Sequence, residues 1–474
     1  MGLPATGMSA EAIAAALEDF GKRDLPWREG GTFAYVYEGG REVEAIIHQA
    51  YMRYLTENAL DPTVYPSLLK FEREIVAIAR DHLGGDDKVV GNFTTGGTES
   101  CMLAVKTARD FARATRGIAR PELVLPVTAH ACFHKAAQYF DMPLRLVEVD
   151  TASWKVSPQA MAAAITPDTA MIVGSACQYA HGVIDPIPEL GALALERHVL
   201  LHVDGCIGGW ILPFLRRLGQ TVPAFGFEVP GVTSISMDFH KYGYAAKGAS
   251  VILHRNKDLR RHQIFTGANW TGYSVINPTM LSSKSGGPLA ACWAVLNHLG
   301  DAGYMEFARR TLAATQAIAA SLRAHPDVEL LAEPESCLIA FAGKGFSPFP
   351  IVDAMRRRGW FVQPQLGYMG SRANIHLSID QSTIDVVDRF LPDLDASIAE
   401  ARGLNMALPE PVKALLGSLT ADQFTPQLYG QLMGMGGADG GLPEGTTGIN
   451  MMLDAMQPEV AARVMTEFFN DLYV

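Results

Sequence analysis

The strongest constraint on the fold is a series of short apolar runs that alternate with helical periods between residues 74 and 300. This pattern is typical of buried parallel strands joined by crossover helices, because a strand covered on both faces is apolar along its whole length. The predicted strands are VLPV near 124, LRLVEV near 144, AMIVGSA near 170, VLLHVD near 199, SISMD near 234 and ASVILH near 249. We therefore predict an α/β fold with a mostly parallel central sheet and helices on both faces.

The flanking segments differ from this region and indicate a chain of three parts. Residues 1–73 predict a helix, an irregular stretch (GGTFAYVYEGG) and a helix from Glu42 to Leu55, which is too little to fold alone. Residues 301–474 predict a long helix followed by the short strands VELLA, CLIAF, WFVQP and ANIHLSI, which indicate a small α+β domain. The Gly-rich segment 433–448 is predicted to be a loop or a mobile excursion before the final helix.

Charge and cysteine usage exclude several classes of protein. A net charge of -11 over 474 residues offers no basic surface for nucleic acid or an anionic membrane. The six cysteines lie singly without metal-ligand spacing, which predicts reduced thiols and no metal site. The N-terminus lacks a signal-peptide pattern, and no apolar run reaches the roughly 18 residues that a membrane span needs. We expect a cytoplasmic protein with no membrane span and no nucleic-acid partner.

Two motifs are candidates for ligand binding at strand ends. TTGGTES, at Thr94–Ser100, precedes a predicted helix whose free backbone N–H groups can bind phosphate, although it also suits an ordinary capped turn. The run LLHVD ends at Asp204, at the sheet edge where ligands of open α/β sheets bind. An acidic group there can keep a pyridinium nitrogen protonated, but Asp is also common in turns.

Two further motifs add a lysine and an aromatic ring. Lys241 and His240 follow the run SISMD. A lysine forms a Schiff base only when partly deprotonated, and confinement beside other cations is expected to lower its pKa. In TAHACFHKAA, either His130 or His134 can lie flat on a ring. A phosphate cup, a ring stacker, a strand-end Asp and a His–Lys pair, in this order on one sheet, predict a pyridoxal 5'-phosphate (PLP) site.

Longer stretches of the chain resemble a known family. They are LPATGMSAE, LPWREG, FTTGGTES, HACFHKAA, HGVIDPIPEL, LHVDGCIGGW, TSISMDFHKYGYAAKG, GGPLAACWAVLNHLG and FFNDLYV. With them, the chain resembles the sphingosine-1-phosphate lyase family of PLP-dependent group II decarboxylases almost from end to end. The resemblance implies the aspartate-aminotransferase-like fold (fold type I) with a seven-stranded sheet, PLP as cofactor, and a homodimer with shared active sites.

The resemblance also implies roles for individual residues. Lys241 would carry PLP, Asp204 would pair with the ring nitrogen, and His130 would stack on the ring. The implied phosphate-binding residues are Gly97, Thr98, His240 and, reaching the cofactor of the neighbouring subunit, Ser283. The positions implied to contact the substrate or act near the reacting carbon are Tyr37, Asn58 and Lys247.

The substrate pocket departs from the family pattern. The family's Asn-Pro-Leu-His is Asn-Ala-Leu-Asp at residues 58–61, so Asp61 stands where a histidine binds phosphate in the family, and it should repel a dianion. The family's loop arginine is Lys284 here. A family tyrosine falls on Val275, and Tyr273 is close enough to replace it. These changes leave the cofactor residues intact and leave the substrate open.

Three functions remain open from the sequence. In a lyase, a base removes the β-hydroxyl proton and the Cα–Cβ bond breaks; Lys247 with Tyr37 or Tyr273 is the candidate group for this proton transfer. In a decarboxylase, CO2 leaves from an unphosphorylated amino acid, a substrate that Asp61 would suit better. A PLP-binding protein without lyase activity is the third reading, and the presence of Lys241, Asp204 and His130 together argues against it.

Overall fold

A seven-stranded sheet forms the centre of the computed structural model, which describes residues 2–22, 24–423, 425–436 and 445–473. Its strands lie in the order β1-β7-β6-β5-β4-β2-β3, and β7 alone is antiparallel to its neighbours. The strands are β1 Val90–Thr94, β2 Glu122–Pro126, β3 Leu144–Val147, β4 Thr169–Ser175, β5 Leu200–Asp204, β6 Val232–Asp238 and β7 Ser250–His254. The predicted fold class is confirmed.

Both faces of this sheet are covered by helices, which explains the continuous apolar runs. In β4, Ile172 packs with the core on one face, whereas Met171 and Val173 pack with the core on the other. Successive side chains of a strand point to opposite faces, so a strand in the middle layer must be apolar at every position. The helices are α1 Ala10–Gly21, α2 Arg41–Arg53, α3 Pro66–His82, α4 Gly97–Arg116, α5 Cys132–Phe140, α6 Pro158–Ala164, α7 Ile187–Arg197, α8 Gly208–Arg217, α9 Lys257–Arg260 and α10 Gly287–Ala324.

A short hairpin and a smaller antiparallel sheet complete the chain. The hairpin strands are β8 Phe265–Gly267 and β9 Val275–Asn277, and the four-stranded sheet has the order β10-β11-β13-β12. A core of its own joins this sheet to the C-terminal half of α10 and to two helices. The elements after α10 are β10 Val328–Leu330, β11 Leu338–Gly343, α11 Phe349–Arg357, β12 Gln363–Gln365, β13 Asn374–Ser378, α12 Val387–Leu404, α13 Glu410–Ser418, α14 Pro426–Gly436, α15 Thr447–Ala455 and α16 Pro458–Leu472.

The structure corrects the sequence predictions at three places. β1 and the β8–β9 hairpin were not predicted, and α10 begins at Gly287 rather than beyond residue 300, with non-helical backbone at Gly300. The predicted Gly-rich loop 433–448 is wrong at its two ends, because residues 433–436 belong to α14 and residues 447–448 to α15; residues 437–444 lie outside the described residues. The division at 73 and 300 stays a prediction. Within the described ranges, no helix combines the length and apolar character needed to cross a membrane.

Candidate active site

A cavity of about 390 Å³ opens where four parallel strands end. Strands β2, β4, β5 and β6 deliver residues to it at or just beyond their carboxyl ends, and α4 begins at its edge. The carboxyl ends of parallel strands share one edge of the sheet, so residues far apart in sequence converge there. The cavity is lined by Thr95, Gly96, Gly97, Thr98, Glu99, His130, Cys132, Ser175, Cys177, Tyr179, Asp204, Cys206, Ile207, Asp238, His240 and Lys241.

The turn before α4 presents the start of a helix to the cavity. The Glu99 carboxylate accepts hydrogen bonds from the Thr95 backbone N–H at 2.6 Å and the Thr95 hydroxyl at 2.7 Å, which fixes the turn. A Cβ at Gly97 would lie 2.6 Å from Cys206 Sγ and 2.7 Å from Asp238 Oδ2. Only glycine therefore fits this position. The first backbone N–H groups of α4 remain available to an anion, because they have no partner within the helix.

Lys241 forms an ion pair that the sequence analysis did not foresee. Its Nζ lies 2.9 Å from Asp238 Oδ2, and the Asp238 side chain is almost fully buried. Burial, the largest single effect, would lower the pKa of Lys241, but the neighbouring acidic groups, the Asp238 carboxylate first, together raise this pKa well above the ordinary value. The expectation of a lowered pKa is therefore wrong for the chain without cofactor. Asp238 could have been found from its position, three residues before Lys241 at the end of β6.

Two histidines border the cavity as neutral rings. Burial lowers the pKa of His130, and the Cys132 backbone N–H donates to its Nδ1 at 3.1 Å. Burial also lowers the pKa of His240, whose Nδ1 accepts from the Ala249 backbone N–H at 3.3 Å. A neutral, oriented imidazole suits stacking on an aromatic ring. His134, the alternative to His130, is not among the described residues that line the cavity.

Asp204 ends β5 with its carboxylate on the floor of the cavity. Its Oδ1 accepts from the Cys206 backbone N–H at 3.0 Å and from the Ser236 hydroxyl at 3.4 Å. The residue is only 7% exposed. A buried carboxylate held in this way can pair with a cationic ring nitrogen, as the sequence predicts.

Lys247 and Tyr37 lie together near Lys241. Lys247 Nζ donates to the backbone carbonyl of Tyr35 at 2.9 Å and to that of His240 at 3.3 Å, and it lies 5.2 Å from the centre of the Tyr37 ring. Lys247 is an exposed residue that is not among the described residues lining the cavity, but its amine lies under neighbouring atoms. Burial of the amine first and the Lys241 charge second lower the pKa of Lys247 to about 8. Burial raises the pKa of Tyr37 to about 12.

The other predicted site residues form a separate group. Asn58 Nδ2 donates to Ser283 Oγ at 3.3 Å, and Asn58 Oδ1 accepts from the Lys284 backbone N–H at 3.1 Å. Asp61, Tyr273 and Lys284 line a larger cavity of about 850 Å³. Within the described residues of one chain, the cavity at Lys241 is lined by no member of this group. Tyr273 is 60% exposed and lines this larger cavity, so its role beside Lys247 stays a prediction.

The residues at Lys241 fit PLP. The start of α4 suits its phosphate, the Asp204 carboxylate suits its ring nitrogen, and Lys241 supplies the amine for its aldehyde. Among the described residues, Asp238 Oδ1 is also buried without a hydrogen-bond partner, which leaves an acceptor for a bound group. The fold and this set of residues define a PLP-dependent enzyme of fold type I.

Comparison with known proteins places the chain in a family. A model of the pyridoxal-dependent decarboxylase conserved domain matches residues 27–344, and a model described as the C-terminal putative HTH domain of a pyridoxal-dependent enzyme matches residues 409–471. The chain is 38% identical over 409 residues to a sphingosine-1-phosphate lyase of Dictyostelium discoideum, covering 86% of this chain and 76% of that protein. It is 31% identical to a probable L-aspartate decarboxylase of Pyrococcus abyssi, covering 82% of this chain and 98% of that protein.

A solved structure agrees with these matches. The sphingosine-1-phosphate lyase of Burkholderia pseudomallei superposes with a TM-score of 0.81 at 36% identity, covering 85% of this chain and 93% of that one. The chain therefore belongs to the pyridoxal-dependent decarboxylase family, and within it to the homologues of the sphingosine-1-phosphate lyases. It is a PLP-dependent lyase.

Proposed function

We propose that the protein cleaves the Cα–Cβ bond of a phosphorylated long-chain amino alcohol of the sphingosine-1-phosphate type, releasing a fatty aldehyde and phosphoethanolamine. The observation that carries this proposal is a second lysine, Lys247, whose Nζ donates to the His240 backbone carbonyl beside Lys241 and lies 5.2 Å from the centre of the Tyr37 ring; its pKa is lowered to about 8. Retro-aldol cleavage requires a base for the β-hydroxyl proton, whereas loss of CO2 from an amino acid requires no base at that position.

Each cofactor-site residue has a proposed task in this reaction. When bound, PLP supplies an electron sink for the bond that breaks at Cα. Lys241 anchors the cofactor, Asp204 keeps a proton on the ring nitrogen, and His130 stacks on the ring. Gly97, Thr98 and His240 hold the phosphate; the close approach of Asp238 and Cys206 to Gly97 supports a tight backbone cup there.

Proton transfer is assigned to Lys247 with help from Tyr37. A neutral Lys247 amine accepts the β-hydroxyl proton, because its lowered pKa leaves a useful neutral fraction near pH 7 to 8. The raised pKa of Tyr37 keeps its phenol protonated, so it serves as a hydrogen-bond donor or acid rather than as a base. The distance of 5.2 Å between Lys247 Nζ and the centre of the Tyr37 ring supports a shared role in proton transfer.

A homodimer with shared sites is proposed from the separation of the two groups of residues. Asn58, Asp61, Tyr273 and Ser283 lie away from the cavity at Lys241 of their own chain. The segment around them exposes large apolar side chains, among them Phe265 at 57% and Ile276 at 63%. Such an apolar surface is typical of a subunit interface. A second copy would cover it and bring Ser283 of the partner subunit to the cofactor phosphate.

The second candidate function is decarboxylation of an unphosphorylated amino acid, and Asp61 is the observation that favours it. The Asp61 carboxylate accepts from the Thr63 backbone N–H at 2.8 Å and from the Thr63 hydroxyl at 2.6 Å. The hydroxyl bond first and the N–H bond second lower the pKa of Asp61, so it stays ionised at neutral pH. A fixed negative charge here disfavours a dianionic phosphate.

A cytoplasmic location is also proposed. All six cysteines are buried and free of disulfide bonds. Unpaired buried cysteines are usual in a reducing compartment.

The assay that tests the function incubates the PLP-loaded protein with sphingosine-1-phosphate and follows both long-chain aldehyde and phosphoethanolamine. Formation of both products supports the lyase function. Absence of both, together with CO2 release from an amino acid in a screen, would favour the decarboxylase. Sphingosine without phosphate is the substrate control for the role of the phosphate group.

Asp61 gives a matched test of substrate charge. Asp61→His should improve turnover of the phosphorylated substrate, and Asp61→Asn should give an intermediate gain, because it removes the charge without adding a cation. Equal or lower turnover in both variants would mean that Asp61 does not repel the substrate phosphate.

A further inference from the structure

The fold gathers cysteines below the cofactor cavity that are far apart in sequence. Cys101 lies on α4 and Cys206 follows β5. The Sγ atoms of these two residues and a carboxylate oxygen of Asp204 all lie within 4.8 Å of one another, and all three residues are buried. The sequence analysis predicted no metal site because the cysteines lack ligand spacing, but this cluster is formed only by the packing of α4 against the sheet.

A fourth polar atom faces the same point. Ser236 Oγ lies 3.4 Å from Cys101 Sγ, 3.3 Å from Cys206 Sγ and 3.4 Å from Asp204 Oδ1. It also lies 3.3 Å from His202 Nε2 on the neighbouring strand. Two sulfur atoms, a carboxylate and a hydroxyl therefore converge at the edge of the apolar core to which Cys101 and Cys206 belong.

This donor set matches a soft divalent cation. Zinc binds sulfur at about 2.3 Å in tetrahedral sites, so two sulfur ligands end about 3.8 Å apart. The two sulfur atoms lie within 4.8 Å of each other, so they need to approach by about 1 Å at most to reach this distance. Thiolate ligands select Zn²⁺ or Cd²⁺ over Mg²⁺ and Ca²⁺, which prefer oxygen.

The site adjoins the cofactor cavity. Asp204 and Cys206 line that cavity, whereas Cys101, which is 0% exposed, lies behind them. A pyridinium ring paired with Asp204 would cover this floor. A metal ion bound to the Asp204 carboxylate would lie beside the protonated ring nitrogen, and because like charges in close contact repel each other, the two compete for this carboxylate.

We propose that Cys101, Asp204 and Cys206 form a binding site for a thiophilic divalent cation such as Zn²⁺ in the cofactor-free enzyme, and that metal and PLP exclude each other. Binding forms two metal–sulfur bonds and one metal–oxygen bond and releases the two thiol protons to solvent, with no change of oxidation state. The metal thereby holds the enzyme in a form that cannot take up its cofactor.

The thiols are inert without the metal. Burial raises the pKa of the Cys101 thiol well above its ordinary value. The pKa of the Cys206 thiol is also raised well above its ordinary value, first by the hydrogen bond between Cys206 and Cys101 and then by burial. Because a metal must displace both protons, its affinity should rise with pH.

The test titrates the full-length, cofactor-stripped protein with Cd²⁺ and follows the ultraviolet charge-transfer absorption of cadmium–thiolate bonds. We expect one equivalent to bind, the subsequent uptake of PLP to be blocked, and a chelator to restore it. The PLP-loaded protein should show no such absorption. Recovery of the bound-PLP spectrum after chelation demonstrates that the stripped protein kept its fold.

Two variants make the test specific. Cys101→Ala should abolish the cadmium signal while PLP binding persists. If the alanine variant does not fold, Cys101→Val, whose side chain fills the space, is used in its place. Cys292→Ala, at another fully buried cysteine on α10, should keep the signal. A signal that persists in both Cys101 variants, or one of equal size in the PLP-loaded protein, or PLP uptake unaffected by Cd²⁺, would overturn the proposal.

Discussion

Asp238→Asn tests the ion pair that controls Lys241. The pair is separated by 2.9 Å, with side-chain exposures of 22% for Lys241 and 1% for Asp238. Breaking a buried pair costs about 3–5 kcal/mol, because the remaining charge is left uncompensated. Since part of Lys241 reaches solvent, we expect a loss of about 2–3 kcal/mol in the free energy of unfolding of the cofactor-free chain. Urea denaturation at pH 7 measures it.

Asp258→Asn is the matched control. Asp258 pairs with Arg261 at 2.7 Å with the same sequence spacing, but the side-chain exposures are 67% for Arg261 and 80% for Asp258. Exposed pairs contribute about 0–1 kcal/mol, so this variant should stay near the parent protein. Equal losses in the two variants would refute the argument from burial.

Asp238→Asn also tests the direction in which the pKa of Lys241 is shifted. Attachment of PLP requires a neutral amine, and the Asp238 carboxylate favours the charged one. In Asp238→Asn, the midpoint of the pH dependence of PLP attachment should therefore move to lower pH. A midpoint that stays in place or moves to higher pH would contradict the role assigned to Asp238.

Three further predictions concern the site and the core beneath it. Gly97→Ala should weaken PLP binding about 5- to 150-fold in an equilibrium titration, as expected for about 1–3 kcal/mol of overpacking. In Gly403→Ala, the added Cβ meets nothing within 4 Å, so the same titration should show unchanged binding. Lys247→Gln should lower kcat about 10²- to 10⁴-fold. In the parent protein, kcat should rise with pH around pH 8, where the neutral Lys247 amine forms, and Lys247→Gln should abolish this rise. His202 is fully buried, and burial lowers its pKa to about 4. As pH falls, His202 therefore takes up a proton in the unfolded chain before it does so in the folded one, which should lower the free energy of unfolding by about 3 kcal/mol between pH 6.5 and 4. His202→Gln should reduce the dependence of the free energy of unfolding on pH in this range, as measured by urea denaturation.

The sequence predicts those strands that are apolar along their whole length. β1 was missed because Gly91 and Asn92 interrupt its apolar pattern. A Cβ at Gly91 would lie 2.4 Å from the Ile252 backbone oxygen, so glycine is needed where β1 approaches β7. The start of α10 was missed because Gly286, Gly287 and Pro288 suggest a turn, although proline suits the first turn of a helix.

The site is predictable to the extent that it depends on strand ends. His130, Asp204 and Lys241 follow strands that end at one edge of the sheet, so their convergence follows from the fold class. The ion pair of Lys241 with Asp238 depends on the shape of the turn after β6, which the pattern does not specify. In the proposed homodimer, the position of Ser283 relative to a cofactor depends on the packing of two subunits, which the pattern of one chain does not specify.

Lys241 is the residue that we expect to carry PLP. The most direct measurement treats the PLP-loaded protein with borohydride, which fixes the cofactor on its lysine, and locates the label by peptide mass spectrometry. We predict a single pyridoxyl group on Lys241 and none in Lys241→Ala. A label on Lys247 or another lysine, or an unchanged label in Lys241→Ala, would contradict the account.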